Sequence, residues 1–308
     1  MSSTRKRFTL QLPRRTLRLG ERTLLMGILN VTPDSFSEQG KYFDRRAAVA
    51  RGLEIEREGA DLLDIGGEST RPGASPVDEQ EELDRTIPVI EALRKKGVGI
   101  PISIDTYKSA VAERALRAGA EIVNDISGLR YDDELAAVAA RHRAAVILMH
   151  MRGTPTTMQK LPRLKRLMPS ILDGLAVSMK RALDSGVSKH HIVLDPGIGF
   201  GKGAQQNFEI LRKLPMLSRL GCPILVGTSR KSFLQHLLNE PPFLSGQPPK
   251  TAANRKPPSG ASPLLLGTAA SIVAAILNGA HIVRVHDVRE MLAVIRVADQ
   301  LLDCPSVR

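Results

Sequence analysis

The stretch HIVRVHDV, residues 281–288, places Arg284 and His286 two positions apart in an apolar run. If that run is a strand, alternation puts both side chains on one face and Val283 and Val285 on the other. An Arg fork and an imidazole sharing one face fit an anion, and phosphate or diphosphate oxygens above all. Asp105 and Asp195 admit two uses. They could form an acid/base couple of the glycosidase kind, which needs one carboxyl group with a raised pKa. Alternatively, ionised carboxylates accept parallel N–H bonds from a flat heterocycle with a guanidine-like edge, and Asn124, both donor and acceptor, extends that set. Asp105 could also be a plain helix N-cap, since Thr106, Tyr107 and Lys108 follow it; ligand contact is the reading adopted here for both carboxylates.

These groups need elements to hold them. Short apolar runs at 24–30, 61–65, 102–104, 121–125, 144–150, 191–195, 223–227 and 281–286 read as strands. Amphipathic segments lie between them. Several end at glycine, as at Gly59, Gly97, Gly119, Gly186, Gly221 and Gly279, which suits a left-handed helix cap. Strand and helix alternating in this way predict an α/β fold, a TIM (β/α)8 barrel, with a doubly wound sheet as the competing arrangement. The barrel demands that chemistry gather after the C-terminal ends of its strands. Asn30, Gly66-Gly67-Glu68, Asp105, Asn124, His150, Asp195, Gly227 with Ser229 and Lys231, and Arg284 with His286 stand at those ends. Before the first of these strands, FTLQL and TLRLG flank a Pro-Arg-Arg turn, predicting an N-terminal β-hairpin over 8–23 rather than an organelle presequence.

Two segments are not absorbed by that pattern. Residues 239–263, dense in Pro, Gly, Ser and Lys, read as an insertion loop within a single domain spanning 1–308. GIGFGKG, 197–203, invites a nucleotide-binding reading, but Lys202 stands where a dinucleotide fingerprint needs Gly and Gly203 where a P-loop needs Ser or Thr. A flexible turn that lets backbone approach a ligand suffices.

Composition narrows the partners. With 42% hydrophobic residues among 308, the chain can bury a sizeable core. A net charge of +12 admits nucleic acid, but only three Tyr and seven Phe are available for stacking and no helix-turn-helix or RNA-binding signature is present. No nucleic-acid partner is expected. Cys222 and Cys304 lie far apart without a CxxC or Cys/His spacing, so neither a disulfide framework nor a zinc site is indicated, and a reducing, cytoplasmic setting is expected. Apolar runs such as 144–149 are too short to span a bilayer, so no membrane partner is expected.

The motifs MGILNVTPDSFS, DIGGESTRPG, SIDT, IVNDISG, MHMRGTPTTMQ, LDPGIGFGK, GTSRKSF and VRVHDV, in that order, closely resemble the dihydropteroate synthase family. The resemblance runs from about residue 24 to the C-terminus, thins between Leu161 and His191 and breaks at the insertion. It implies a TIM barrel that usually dimerises and condenses 6-hydroxymethyl-7,8-dihydropterin diphosphate with 4-aminobenzoate, releasing diphosphate. By resemblance, Asp105, Asn124, Asp195, Lys231, Met149, Phe200 and Gly227 would bind the pterin. Asn30, Thr70, Arg284 and His286 would hold the diphosphate, with Asn30 ligating Mg2+, and Asn30, Lys231, Arg284 and His286 would carry catalysis. Phe36, Thr70, Arg71, Pro72 and Ser232 would form the aminobenzoate pocket. Two departures stand out: the first loop reads SEQGKYF in place of an Asp-Gly-Gly-like turn, and Gln206 replaces a frequent His. The competing functions are a pterin-dependent methyltransferase on a related barrel and a pterin-binding paralogue without catalysis.

Overall fold

The computed structural model describes residues 5–32, 44–69, 73–239 and 262–303. An antiparallel hairpin of β1 (Phe8–Gln11) and β2 (Thr16–Leu19) comes first, with Phe8 opposite Leu19 and Gln11 opposite Thr16. There follow β3 (Leu24–Asn30), α1 (Arg45–Arg57), β4 (Leu62–Gly66), α2 (Glu79–Lys95), β5 (Ile102–Asp105), α3 (Ser109–Ala118), β6 (Ile122–Asp125), α4 (Leu135–Arg141) and β7 (Ala145–Met149). The chain continues through α5 (Leu167–Asp184), β8 (Ile192–Asp195), α6 (Ala204–Lys213), β9 (Leu225–Val226), α7 (Ser232–Asn239), α8 (Pro263–Leu277), β10 (Ile282–Val285) and α9 (Val288–Asp303).

The strands β3 to β10 pair in parallel in the order β8-β7-β6-β5-β4-β3-β10-β9. A parallel bridge between Leu194 and Ile224 brings the two ends together, so the sheet is a nearly closed barrel and not a doubly wound sheet. The predicted strand over 223–227 shrinks to Leu225–Val226. Pro223 has no N–H for a ladder, although its carbonyl accepts from Leu194 N at 2.9 Å. All six glycines expected to end helices take positive φ; at Gly119, the cap of α3, φ is 116°, which a side chain would resist.

Strand alternation divides the apolar residues into two sets. Leu25, Leu29, Leu63, Ile65, Ile102, Ile104, Val146, Leu148, Ile192, Leu194, Val283 and Val285 face the helices in the main core. Leu24, Met26, Leu62, Ile122, Ala145, Ile147, Val193, Leu225 and Ile282 fill the barrel interior, joined by Leu10, Leu12 and Leu19 of the hairpin. The hairpin therefore plugs the N-terminal end of the barrel. Burying each of those three leucines contributes about 1.5–3 kcal/mol, which explains why a short ribbon, marginal by itself, stays ordered. With the lower interior filled by hydrocarbon, inward-facing polar residues gather toward the C-terminal end, Asp64 and Ser103 in a buried layer just below the rim. Most of the insertion, 240–261, lies outside the described residues; α7 and α8 flank it.

Candidate active site at the barrel mouth

Register lines up the rim. Asn30 pairs with Gly66, Gly66 with Asp105, and Asp105 with Asn124, while on the far side Met149 pairs with Asp195. Because each of these ends its inward-facing series, the strand pattern itself aims the side chains into the mouth.

At the centre lies Arg284. Its Nε donates to Asp64 Oδ2 at 2.6 Å and its Nη2 to Asp105 Oδ2 at 2.7 Å. Asn124 Nδ2 donates to the same Asp64 oxygen at 3.0 Å. The arginine expected to wait for an anion thus also neutralises two carboxylates within its own barrel. Asp105 is not a helix cap: α3 begins after Lys108 without a side-chain cap, and Ser109 N–H donates instead to Asp132 Oδ2 at 2.7 Å. Burial raises the Asp105 pKa to about 7, against the lowering effect of Arg284 and with help from neighbouring Asp64.

Asp195 accepts from Gly197 N–H through Oδ1 at 2.7 Å. Burial raises its pKa, opposed by that hydrogen bond and by Lys231. Lys231 is held at about 8 by burial, opposed by the attraction of Asp195. Its ammonium stands 4.0 Å from the centroid of the Phe200 ring, a cation–π contact. Arg230, just before it, has φ 56° and pairs with Asp287, a strained backbone that presents Lys231 inward. Phe200 and Met149 join Ile126, Met151 and Met158 in an apolar cluster, with Tyr107 packed against it. Gly227 leaves space beside the Arg284 backbone, where a Cβ would sit 3.7 Å from Arg284 Cβ.

His286 Nδ1 lies 3.0 Å from Ser229 Oγ, and the His286 backbone N–H donates to the same hydroxyl at 3.2 Å. Beside the second loop, Lys108 binds Glu68 at 2.7 Å, Glu82 and the Val77 carbonyl at 2.8 Å. Tyr107 OH donates to Glu68 at 2.9 Å.

The fold thus brings Asp105, Asn124, Asp195, Lys231, Arg284, Met149 and Phe200 to one mouth, with His286 and Asn30 at strand ends on the same rim and exposed Ser232 opening α7. Phe36, Thr70, Arg71 and Pro72 lie outside the described residues. Sequence reasoning missed Asp64. The available signal was a carboxylate in the middle of the otherwise apolar run DLLDI, which burial in a barrel tolerates only with partners. Gln206, noted for replacing a His, donates to the Leu164 carbonyl at 3.0 Å and is a loop fastener. Among the described residues no group of three or more His, Cys, Asp or Glu is arranged to hold a metal ion, and no helix is long and apolar enough to cross a membrane.

The family described as pterin binding enzyme matches residues 26–286. The dihydropteroate synthase of Synechocystis is 48% identical over 92% of this chain and 91% of its own length. That of Bacillus subtilis is 43% identical over 92% and 90%. Among solved structures, the Clostridium difficile dihydropteroate synthase obtained in the presence of pteroic acid aligns with a TM-score of 0.79 and 45% identity, covering 92% of this chain and 98% of that one. The Xanthomonas albilineans dihydropteroate synthase with 4-aminobenzoic acid aligns at 0.82 and 37%, covering 97% and 100%. With its barrel, its rim of carboxylates and cations, and this likeness over nearly its whole length, the chain belongs to the dihydropteroate synthase family of pterin-binding enzymes, transferases of folate biosynthesis.

Proposed function

We propose that this protein, as one domain, condenses 6-hydroxymethyl-7,8-dihydropterin diphosphate with 4-aminobenzoate to give 7,8-dihydropteroate and diphosphate. The observation that carries the reading is the meeting of Arg284 with Asp105 beside Asn124, Asp195 and Lys231. This rim offers acceptors to a flat ring and cations to a leaving anion. The unengaged oxygens of Asp105, Asn124 and Asp195 accept the N–H groups of the pterin edge. Lys231 contacts the ring from the other side, Phe200 and Met149 wall the slot, and Gly227 keeps it open.

Bond cleavage sends the C–O electron pair to the diphosphate. Arg284 and His286 receive the growing negative charge. In the tautomer in which Ser229 donates its hydroxyl proton to Nδ1, the ring proton of His286 is on Nε2 and is donated to a phosphate oxygen. The arylamine nitrogen then forms its bond to the methylene carbon and loses a proton to the released diphosphate, with no covalent enzyme intermediate. Phe36, Thr70, Arg71, Pro72 and Ser232 form the aminobenzoate pocket, and Thr70 also touches the diphosphate. The side-chain oxygen of Asn30 suits Mg2+, which commonly takes one or two protein oxygens and completes its shell with substrate phosphate and water. When bound there, Mg2+ adds positive charge beside the departing diphosphate. A methyltransferase would have no leaving diphosphate for the Arg284 and His286 pair.

The protein acts as a homodimer in this reading. Leu266, Val297 and Leu301 are 58%, 63% and 57% exposed on neighbouring helices α8 and α9, apolar surface that a second copy would cover. The partners are small molecules, with no nucleic acid or membrane required. The buried thiol of Cys222, free of any disulfide, suits the reducing cytoplasm.

The deciding experiment is a diphosphate-release assay on the pterin diphosphate, with and without 4-aminobenzoate and Mg2+. Release that depends on the amine and the metal is expected. No release, or release indifferent to 4-aminobenzoate, overturns the proposal.

A further inference from the structure

GIGFGKG matched no phosphate-binding pattern, yet it holds a buried charge that the mechanism above leaves unused. Lys202 is 6% exposed. Its Nζ donates to the carbonyls of His150 at 2.8 Å, Gly197 at 2.8 Å and Phe200 at 3.0 Å. An ammonium has three protons, and these acceptors take all of them. Burial favours the neutral amine and lowers the pKa well below its usual value, with Asp195 opposing that effect. The three carbonyls, together with the attraction of Asp195, compensate the desolvated cation.

The backbone is bent to supply them. Gly197, Gly199 and Gly201 have φ of 68°, 86° and 69°. A Cβ on Gly197 would lie 2.0 Å from the His150 carbonyl oxygen, so only glycine lets the loop after β8 approach the loop after β7 so closely. Phe200 sits between two of these glycines with its ring under the Lys231 ammonium. A Cβ on Gly199 would meet Lys231 Cδ at 2.9 Å, so the same loop also packs along the Lys231 stem. Arg152 Nη1 reaches the Gly201 carbonyl at 3.1 Å, a second fastening that leaves the central three carbonyls to Lys202.

We propose that Lys202 is a positioning residue for the reaction: its ammonium is a tethered internal cation that gathers the carbonyls of two βα loops and so sets Phe200 and Lys231 against the pterin. This rests on the function proposed above. It differs from a merely structural role because the carbonyl cage responds to an ammonium head, and because Phe200 and Lys231, proposed for the pterin, are the groups among the described residues that the caged loop sets in place.

The test uses Lys202→Met and Lys202→Ala in the full chain. Lys202→Met should weaken pterin diphosphate binding by on the order of ten- to a hundredfold, the scale of misplacing groups at a reacting centre, with a smaller change in KM for 4-aminobenzoate. Lys202→Ala lacks a fragment equivalent to n-propylammonium. Added n-propylammonium should restore its pterin binding, and tetramethylammonium, which has charge but no N–H, should not. Wild-type pterin affinity in Lys202→Met, or no response of Lys202→Ala to n-propylammonium, overturns the proposal. If neither variant folds without the amine, pterin binding by the Ala protein prepared in n-propylammonium decides: binding that tracks amine concentration supports the role, and binding indifferent to it sinks the role. Failure of the functional reading is recognised separately, as absence of amine-dependent diphosphate release in the wild-type protein.

Discussion

Arg284 Nε and Asp64 Oδ2 meet at 2.6 Å although 220 residues separate them in the chain. Asp64 is fully buried, and the same oxygen also receives Asn124. One carboxylate therefore orients both the cation proposed for the diphosphate and an amide proposed for the pterin edge.

Asp64→Asn keeps the shape and removes the charge. Breaking a buried pair costs about 3–5 kcal/mol when the remaining ion is left uncompensated. Asp105 still pairs with Arg284, so a loss near the lower end, about 3 kcal/mol, is expected in urea unfolding. Asp64 also helps to raise the Asp105 pKa, so the variant should show Asp105 ionising at lower pH. Unchanged stability together with an unchanged Asp105 titration would refute the orienting role.

A narrow pH optimum follows from the same cluster. Asp105 must be ionised to accept N–H groups, and its pKa is about 7, so kcat/KM for the pterin diphosphate should rise through about 7. Lys231 loses its charge at about 8, so activity should fall above that. Stability carries the opposite signature for the carboxyl. Its folded pKa lies above the unfolded value of about 3.9, so the stability it contributes is complete below about 4 and is lost as pH rises through about 7. For Lys231, depressed from about 10.4, the contribution is complete above that value and is lost as pH falls through about 8. Profiles of Asp105→Asn and Lys231→Met should lack the acid and alkaline limbs respectively; limbs that persist in both would rule out these assignments.

Ser229→Ala removes the partner of His286 Nδ1 and of its backbone N–H. The substitution removes the contact by which Ser229 sets the tautomer and orientation of the ring. A drop in kcat/KM of about tenfold is expected, the scale of one hydrogen bond at about 1.4 kcal/mol, with pterin binding in the absence of diphosphate unchanged. Equal weakening of free pterin binding would contradict the tautomer argument.

Val297→Glu places a charge on the exposed apolar surface of α9, where Val297 is 63% exposed and so contributes little to the fold. Sedimentation should show a monomer with a melting temperature close to that of wild-type monomer at dilution. The proposed homodimer requires the wild-type protein to sediment as a dimer under the same conditions; a wild-type monomer overturns it, and a variant that still sediments as a dimer rules out this surface as the interface.

Much of this site was legible because barrel strands obey simple periodicity. Alternation put Arg284 and His286 on one face, the places of Asp105, Asn124 and Asp195 at strand ends marked them for the barrel mouth, and the boundaries of β3, read as 24–30, coincide with the strand. Periodicity failed where a residue's role depends on a distant partner. Asp64 looks like any strand aspartate until Arg284, on the last strand, is folded beside it.

The sequence by itself determined the alternating strand-helix order, the N-terminal hairpin and the set of polar strand ends, because local hydrogen bonding and burial impose periods of two and 3.6 on the chain. Tertiary structure alone decided which of those groups neutralise one another: Arg284 with Asp64 and Asp105, and Lys202 with three carbonyls. Electrostatic pairing in a desolvated mouth depends on distances of a few ångströms between residues far apart in the chain, and no local pattern encodes them.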